Sequence, residues 1–230
     1  MTLLTFIIPV RHHANARNWE SLRAKLAQTV HSINGQTNSD WRAIIVANEG
    51  SDLPDLPPRF AVERVNFPPN ERHERQNNAN RQEFWDAFRL DKGRRVLAGM
   101  LACRESHFYM IVDDDDFVSS SLVQHVADNR DAPGWCVQLG YVWDDGGRLL
   151  FATEEFNRMC GTSLIVRSDL YSLPQRFEDA SEEWIKTMLG SHRFIADILA
   201  ERGTPLGPCH FGERYIALRA LNRTAVRPAS

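Results

Sequence analysis

Apolar segments alternate with an amphipathic helical segment in the first half of the chain, and this alternation constrains the fold more than any other feature of the sequence. Residues 3–8, 41–47 and 108–112 predict buried strands, because they are rich in aliphatic and aromatic side chains and nearly free of charge. Residues 18–33 place apolar side chains at three- and four-residue spacing, as an amphipathic helix does. Strand–helix–strand units of this kind predict a parallel sheet that binds ligands at the carboxyl ends of its strands.

Further elements are predicted along the rest of the chain. We expect additional strands at residues 60–67, 135–142, 148–151 and 162–166, with a turn at 144–147. We expect additional helices at residues 81–88, 93–104, 119–129 and 182–202, the last with a break near Gly190. The fold class is therefore α/β, with a mostly parallel sheet and a small antiparallel part in the second half.

Charge and cysteine content exclude several classes of protein. The 230 residues carry a net charge of −3, which does not suit a nucleic-acid or membrane-surface binder, so we expect no nucleic-acid partner. The four cysteines lie far apart and form no C-x-x-C pair, which argues against a zinc module or a disulfide framework. No segment has the length of a transmembrane helix, and residues 3–10 lack the basic flank of a signal peptide. A cytoplasmic protein with reduced cysteines is expected.

Four consecutive aspartates, Asp113 to Asp116, directly follow the strand predicted at 108–112. Their carboxylates repel one another, so the cluster costs stability unless a cation lies beside it. A hard divalent cation, Mn²⁺ or Mg²⁺, prefers oxygen ligands and is often shared with substrate phosphates. The alternative is a solvated acidic turn that caps the next helix.

Three polar clusters follow predicted parallel strands, at residues 9–13, 48–51 and 113–116. The carboxyl ends of such strands converge on one crevice, so we expect the three clusters to meet there. In an extended segment Asp113 and Asp115 share one face and Asp114 faces away. An Asp-x-Asp pair of this kind suits a metal ion that neutralises a nucleotide-sugar diphosphate.

These motifs resemble those of glycosyltransferases with the GT-A fold, closest to the large family 2-like group. The resemblance lies in the opening strand, residues 6–10, in Ala47-Asn48-Glu49-Gly50-Ser51 in place of V-D-D-G-S, and in residues 111–116 in place of L-D-x-D-D. It covers roughly residues 3 to 205 and implies a three-layer α/β/α domain. The whole chain, 1–230, is expected to be one such domain, with a nucleotide-binding half at about 1–117 and an acceptor-binding half at about 118–230.

The resemblance implies donor-binding roles for residues in the three clusters and in the helix before the aspartates. Asp115 would be the principal metal ligand, Asp113 would contact metal and ribose or diphosphate, and His210 would be a third metal ligand. Asn48 departs from the aspartate that is usual in the family, and Glu49 would contact the edge of the uracil or guanine ring. The other implied nucleotide-sugar-binding residues are Pro9, Val10, Arg11, Lys92, Arg95 and Asp114.

The family usually places its general base, an aspartate within a Glu-Asp pair, at the start of the last long helix. Alignment on Gly203 puts Ser191-His192 at that pair, and the unperturbed pKa of histidine lies near neutrality, so His192 is the candidate base. It is alternatively only a helix-start residue. Upstream carboxylates are further candidates for the catalytic role: Asp179, Glu182 and Glu183.

The resulting hypothesis is a metal-dependent glycosyltransferase that uses a UDP- or GDP-linked sugar and a glycan or small-molecule acceptor. One alternative is a catalytically inactive nucleotide-binding homologue, which the missing Glu-Asp pair favours. Another is a sugar nucleotidyltransferase, but residues 9–16 lack the glycine-rich loop that would hold a triphosphate.

Overall fold

A computed structural model of the chain describes residues 1–72, 81–144, 148–209 and 217–221. The described strands are β1 (Thr2–Pro9), β2 (Trp41–Asn48), β3 (Phe60–Val65), β4 (Ser106–Ile111), β5 (Asp116–Val118), β6 (Gly134–Val137), β7 (Gly140–Asp144), β8 (Leu150–Thr153), β9 (Leu164–Arg167), β10 (Gly207–Cys209) and β11 (Ala217–Leu221). The helices are α1 (Trp19–Asn34), α2 (Arg81–Ala102), α3 (Leu122–Asp128), α4 (Phe156–Met159), α5 (Glu182–Trp184) and α6 (His192–Glu201), with a π turn at Ile185–Leu189 between the last two.

The central sheet has seven strands in the order β10-β6-β9-β4-β1-β2-β3. Strands β3, β2, β1 and β4 are mutually parallel, and β1 aligns Phe6 with Ala43 on one side and Met110 on the other. Strand β9 runs antiparallel between β4 and β6. A second, four-stranded sheet has the order β5-β11-β7-β8 and contains two antiparallel pairings. The predicted fold class is confirmed, including its mostly parallel sheet and small antiparallel part.

The central sheet is covered on both faces. Alternate residues of β1 point to opposite sides, so that Phe6 and Ile8 pack in one apolar layer and Ile7 packs in the other. The first layer includes the buried face of α1, and the second includes Val96, Leu97 and Met100 of α2. Each fully buried aliphatic or aromatic side chain contributes about 1.5–3 kcal/mol of transfer free energy, so these two layers hold the sheet and helices together.

Helix α1 confirms the prediction for residues 18–33. The side chain of Asn18 caps it by accepting a hydrogen bond from the backbone N–H of Ser21 at 2.9 Å. The break predicted near Gly190 is also present, since the π turn ends there and α6 begins at His192. Among the described helices, none is long and apolar enough to cross a membrane.

The prediction of two helices at 81–88 and 93–104 was wrong, because α2 runs unbroken from Arg81 to Ala102. Gly93 was predicted to begin the second helix, but it lies within α2 and allows close packing. A Cβ on Gly93 would lie 2.6 Å from the backbone oxygen of Ile185, in the π turn. Gly190 is equally confined, since a Cβ added to it would lie 2.1 Å from the backbone oxygen of Arg89. The two glycines therefore bring α2 against the π turn at the edge of the site.

Candidate functional site

A cavity of about 1170 Å³ opens at the carboxyl end of β4, beside the end of β1. Asp113, Asp114 and Asp115 lie on its floor, as the convergence of strand ends predicts. One wall is formed by the loop after β1 and by α1. The facing wall is formed by α2, α4 and the start of α6. The walls of the cavity therefore come from both halves of the chain: the loop after β1, α1 and α2 from the first half, and α4 and α6 from the second.

Asp113 is held from two directions. Its carboxylate forms an ion pair with the ammonium of Lys92, which α2 presents to the cavity. Its backbone N–H donates to the hydroxyl of Thr162 at 2.9 Å, and that hydroxyl in turn donates to Oδ2 of Asp116 at 2.6 Å. Burial opposes the charge on Lys92, but the carboxylate of Asp113 outweighs it and raises the pKa of the ammonium. Lys92 therefore stays protonated at the cavity.

Asp114 does not face away from the cavity, and the expectation that it would was wrong. The chain turns after Val112, with the N–H of Asp116 donating to the carbonyl of Asp113 at 3.2 Å, so the alternation of an extended strand ends there. Asp114 is buried and lies 3.4 Å from the guanidinium of Arg11, which also lines the cavity. The attraction of Asp114 raises the pKa of Arg11.

Asp115 is the aspartate of the cluster that is left open to a ligand. Within the described residues its carboxylate accepts no hydrogen bond and forms no ion pair, although it lines the cavity. Burial, followed by the charges of Asp114 and Asp113, raises the pKa of Asp115 to about 6. A nearby cation would relieve this repulsion.

Asp116 supports the site from below. It is 1% exposed, and its Oδ2 accepts hydrogen bonds from the thiol of Cys160 at 2.9 Å and from Thr162. Burial is the main cause that raises the pKa of Asp116 to about 8. Its role is to fix the loop that carries Thr162 against the aspartate turn.

The described residues do not form a closed metal site, since no three His, Cys, Asp or Glu side chains among them are grouped to hold an ion. Mg²⁺ and Mn²⁺ at phosphate sites commonly take one or two protein carboxylates and complete their shells with phosphate and water. Asp115 fits this open arrangement, and the neighbouring Asp114 has a buried Oδ2 with no hydrogen-bond partner among the described residues. His210 lies outside the described residues.

His192 lines the cavity near Lys92 and Asp113. Its Nε2 has no hydrogen-bond partner among the described residues, while the backbone of Arg158 hydrogen bonds with the ring. Burial, and then the charge of Lys92, lowers the pKa of His192 to about 4. The imidazole is therefore neutral near pH 7 and able to accept a proton, although as a weak base.

The three carboxylates predicted as alternative bases do not reach the cavity. Asp179 pairs with Arg176, Glu182 with Arg94 and Glu183 with Lys186, all on the exposed side of the second half.

Several predicted nucleotide-binding residues also lie off the cavity wall. Arg95 is 1% exposed, and its guanidinium donates to Oδ1 of Asn48 at 2.6 Å and pairs with Asp91. Asn48 thus serves as a buried hydrogen-bond acceptor. Among the other predicted nucleotide-binding residues, Glu49 is exposed. Pro9 is buried at the end of β1, and Val10 is buried directly after it.

Most of the α2 residues that line the cavity were not predicted as site residues. Arg81, Phe84, Trp85, Phe88 and Arg89 line the cavity together with Lys92. These six positions follow one another by three, one, three, one and three residues, which is the spacing of a single helical face. The signal was present in the sequence, but the division of α2 into two helices concealed it.

Comparison with known proteins supports the fold rather than a family. No family model matches the sequence, and no curated protein matches it. The structure is similar to crystal structures of S. aureus TarS residues 1–349, at 12% identity and a TM-score of 0.53 over 95% of this chain and 60% of that chain. The TarS complex with UDP matches at 11% identity with the same TM-score and coverage.

The TarS complex with UDP-GlcNAc matches at 10% identity and a TM-score of 0.52, over 99% of this chain and 60% of that one. The chain thus spans about 60% of the length of these structures. At such low identities the likeness establishes the architecture alone. The chain shares with TarS an architecture that has a mostly parallel central sheet and a small antiparallel part.

Proposed function

We propose that the chain is a metal-dependent glycosyltransferase that moves a sugar from a nucleotide-diphosphate sugar to an acceptor hydroxyl. The observation that carries the proposal is the cavity at the end of β4, where three aspartates meet Arg11 and Lys92. Because S. aureus TarS, which shares the fold, has been crystallised with UDP and UDP-GlcNAc, we propose a UDP-linked donor, with a GDP-linked donor as the alternative.

The cations and carboxylates of the cavity suit a diphosphate that leaves with its charge stabilised. A Mn²⁺ or Mg²⁺ ion held by Asp115, with Asp113 or Asp114 beside it, would neutralise the diphosphate when bound. Arg11 and Lys92 place two further positive charges within the same cavity, where they can stabilise the charge of the departing diphosphate. Both are held by aspartates, so little reorganisation is needed when the donor arrives.

The acceptor step requires a group that takes a proton. In this proposal the acceptor oxygen forms a bond to the anomeric carbon, the bond from that carbon to the diphosphate oxygen breaks, and Nε2 of His192 takes the hydroxyl proton. Its support is that the His192 ring lines the cavity, that its buried Nε2 has no hydrogen-bond partner among the described residues, and that the ring is neutral near pH 7.

An inactive nucleotide-binding homologue is the second candidate. The observation in its favour is that Asp179, Glu182 and Glu183 lie away from the cavity and that the pKa of His192, about 4, makes it a weak base. The two candidates share donor binding and differ only in turnover.

Calorimetric titration of the full chain with UDP and GDP, each with Mn²⁺, Mg²⁺ or EDTA, tests donor binding. We expect one diphosphate to bind, and to bind more tightly with a divalent cation. Incubation with UDP-GlcNAc then tests turnover, because a transferase slowly passes the sugar to water whereas a binding homologue leaves the donor intact. Failure of both diphosphates to bind under all conditions would exclude both candidates.

A further inference from the structure

The walls of the cavity are far more cationic than the chain as a whole. Eight lysine and arginine residues line it against three aspartates, while the complete chain carries a net charge of −3. Arg11 and Lys92 are paired with aspartates at the donor end. Four of the remaining six cations lie on α2, α4 and α6, and among the described contacts none of these four pairs with Asp113, Asp114 or Asp115. A nucleotide diphosphate with its metal ion does not account for them.

Two of these arginines flank the candidate base. Arg193 follows His192 in α6, and Arg158 in α4 hydrogen bonds with the ring of His192 through its backbone. Within the described part of the chain Arg193 has no ion pair, and Arg158 pairs only with Glu155, which is itself two-thirds exposed. The charge of these two guanidinium groups is therefore little offset by carboxylates, and both groups can form charge-assisted hydrogen bonds with an anion in the cavity.

Aromatic rings stand between the arginines of α2. Trp85 is 38% exposed, and its ring lies 5.9 Å from that of Phe88 in an edge-on arrangement. Arg89 is fixed beside them, with its guanidinium 4.9 Å from the ring of Phe194 and 3.3 Å from Asp86. A partly exposed tryptophan on a rigid helix offers a flat apolar surface to a ligand ring.

From this arrangement we propose that the acceptor is an anionic saccharide, a sugar that bears a phosphate or a carboxylate. The sugar ring lies against Trp85 and Phe88, and Arg158 and Arg193 hold the anionic group near His192. This inference rests on the proposed glycosyl transfer, because only a transferase has an acceptor. The subsite itself is formed by residues other than Arg11, Lys92 and the aspartates.

The subsite is tested with four probes: glucose 6-phosphate, glucuronate, glucose and inorganic phosphate. Each is titrated by calorimetry into the full chain, both alone and saturated with UDP and Mn²⁺. We expect glucose 6-phosphate or glucuronate to bind at least about tenfold more tightly than glucose, since hydrogen bonds to charged groups contribute that much. Inorganic phosphate is expected to bind more weakly than glucose 6-phosphate, because it has no ring to stack.

A matched pair of double variants locates the binding. Arg158→Gln with Arg193→Gln is expected to weaken the anionic saccharide about tenfold, and by a larger factor than it weakens UDP. Arg23→Gln with Arg130→Gln makes the same charge change on exposed residues outside the cavity, and is expected to leave saccharide binding within about twofold.

The outcomes separate this inference from the proposed function. If UDP binds but the anionic saccharides bind no better than glucose, the inference is wrong and the donor site stands. If inorganic phosphate and glucose 6-phosphate bind with equal affinity, the sugar ring does not contribute and the ligand is simply an anion. If Arg158→Gln with Arg193→Gln weakens UDP binding as much as saccharide binding, the two arginines belong to the donor site. If UDP fails to bind while the probes without UDP behave as expected, the subsite stands and the transferase proposal fails.

Discussion

Asp113 to Asp116 are four identical side chains that differ in chemistry because of their positions. Asp113 pairs with Lys92, Asp114 with Arg11, and Asp116 is buried against the thiol and hydroxyl of the loop after α4. Asp115 remains as the carboxylate that faces the cavity without an ion pair among the described residues. Protein cations thus offset the charge of two carboxylates, whereas burial and the charges of neighbouring aspartates raise the pKa of Asp115 and of Asp116.

Asp115→Asn should remove the metal-dependent part of UDP binding while leaving the fold intact. The amide keeps the size of the side chain but loses the charge that a hard cation requires, so UDP affinity in Mn²⁺ should fall by about tenfold or more. Titration with Mn²⁺ and with EDTA measures the difference. Asp55→Asn, at an exposed position away from the cavity, is the control. Equal metal dependence in the variant and the control would remove Asp115 from the ligand set.

His192 should make the stability of the protein depend on pH between about 4 and 6.5. Its pKa is about 4 in the folded chain, lowered by burial, against 6.5 in the unfolded chain, so the unfolded state binds the proton more readily. Stability is therefore lost as pH falls from 6.5 through 4, by at most about 3 kcal/mol.

Urea unfolding of the wild type and of His192→Asn across this pH range measures that contribution. The variant should lose less stability on acidification than the wild type. Parallel curves for the two proteins would show that the imidazole is not shielded as described. If His192 is also the base, the same variant should slow donor hydrolysis far more than it weakens UDP binding.

At the residue scale, the sequence predicted the location of the acidic cluster but not the partner of each carboxylate. Placement of Asp113 and Asp115 at the cavity followed from strand order alone. The position of Asp114 could not be predicted, because it depends on where the extended backbone of β4 ends. The position of Arg95 could not be predicted either, because it depends on a buried hydrogen bond to Asn48 at the end of β2. Contacts of this kind join segments that are distant in the chain, and no local pattern encodes them.

At the element scale, glycines position the helices around the cavity. Gly161 lies in the loop after α4, where a Cβ would be 2.7 Å from Oδ2 of Asp113 and 2.8 Å from Nζ of Lys92. The absence of a side chain there keeps the ion pair accessible from the cavity. Periodicity predicted the existence and type of most helices, but it placed a helix start at Gly93 inside α2, because close packing between helices leaves no local signal in the sequence.

Gly190→Ala should destabilise the contact between α2 and the π turn. The backbone at Gly190 is helical, so the substitution carries no conformational strain, but the new Cβ would stand 2.1 Å from the carbonyl oxygen of Arg89. Relief requires a shift of α2 or the π turn, at a cost of about 2–4 kcal/mol. Denaturant unfolding measures the loss.

Gly35→Ala is the matched control for this substitution. Gly35 also has a negative φ, of −78°, and its new Cβ would meet nothing closer than 3.5 Å. Its effect on the free energy of unfolding should lie within about 0.5 kcal/mol or be stabilising. Similar losses in the two variants would show that the contact at Arg89 is not the cause.

At the scale of the whole molecule, the central sheet ties the two halves of the chain together. Strand β9, from the second half, is inserted between β4 of the first half and β6, and the cavity takes walls from both halves. The sequence predicted parallel strands in the first half from β-α-β alternation. It gave no means of placing β9, since the pairing of an antiparallel insert depends on contacts that are distant along the chain.

A sheet interleaved in this way predicts that the chain unfolds as one cooperative unit. The four free cysteines are natural reporters: all are buried, Cys103 lies in the first half, and the other three lie in the second. Burial raises the pKa of Cys103 and of Cys136 to about 11, which further suppresses their reaction in the folded state. Pulsed alkylation across a urea series, followed by peptide mapping, gives the labelling of each cysteine separately. All four should become reactive at one denaturant midpoint, normalised to their rates in the fully unfolded chain. A lower midpoint for Cys136 and Cys209 than for Cys103 would instead show that the second half opens independently of the first.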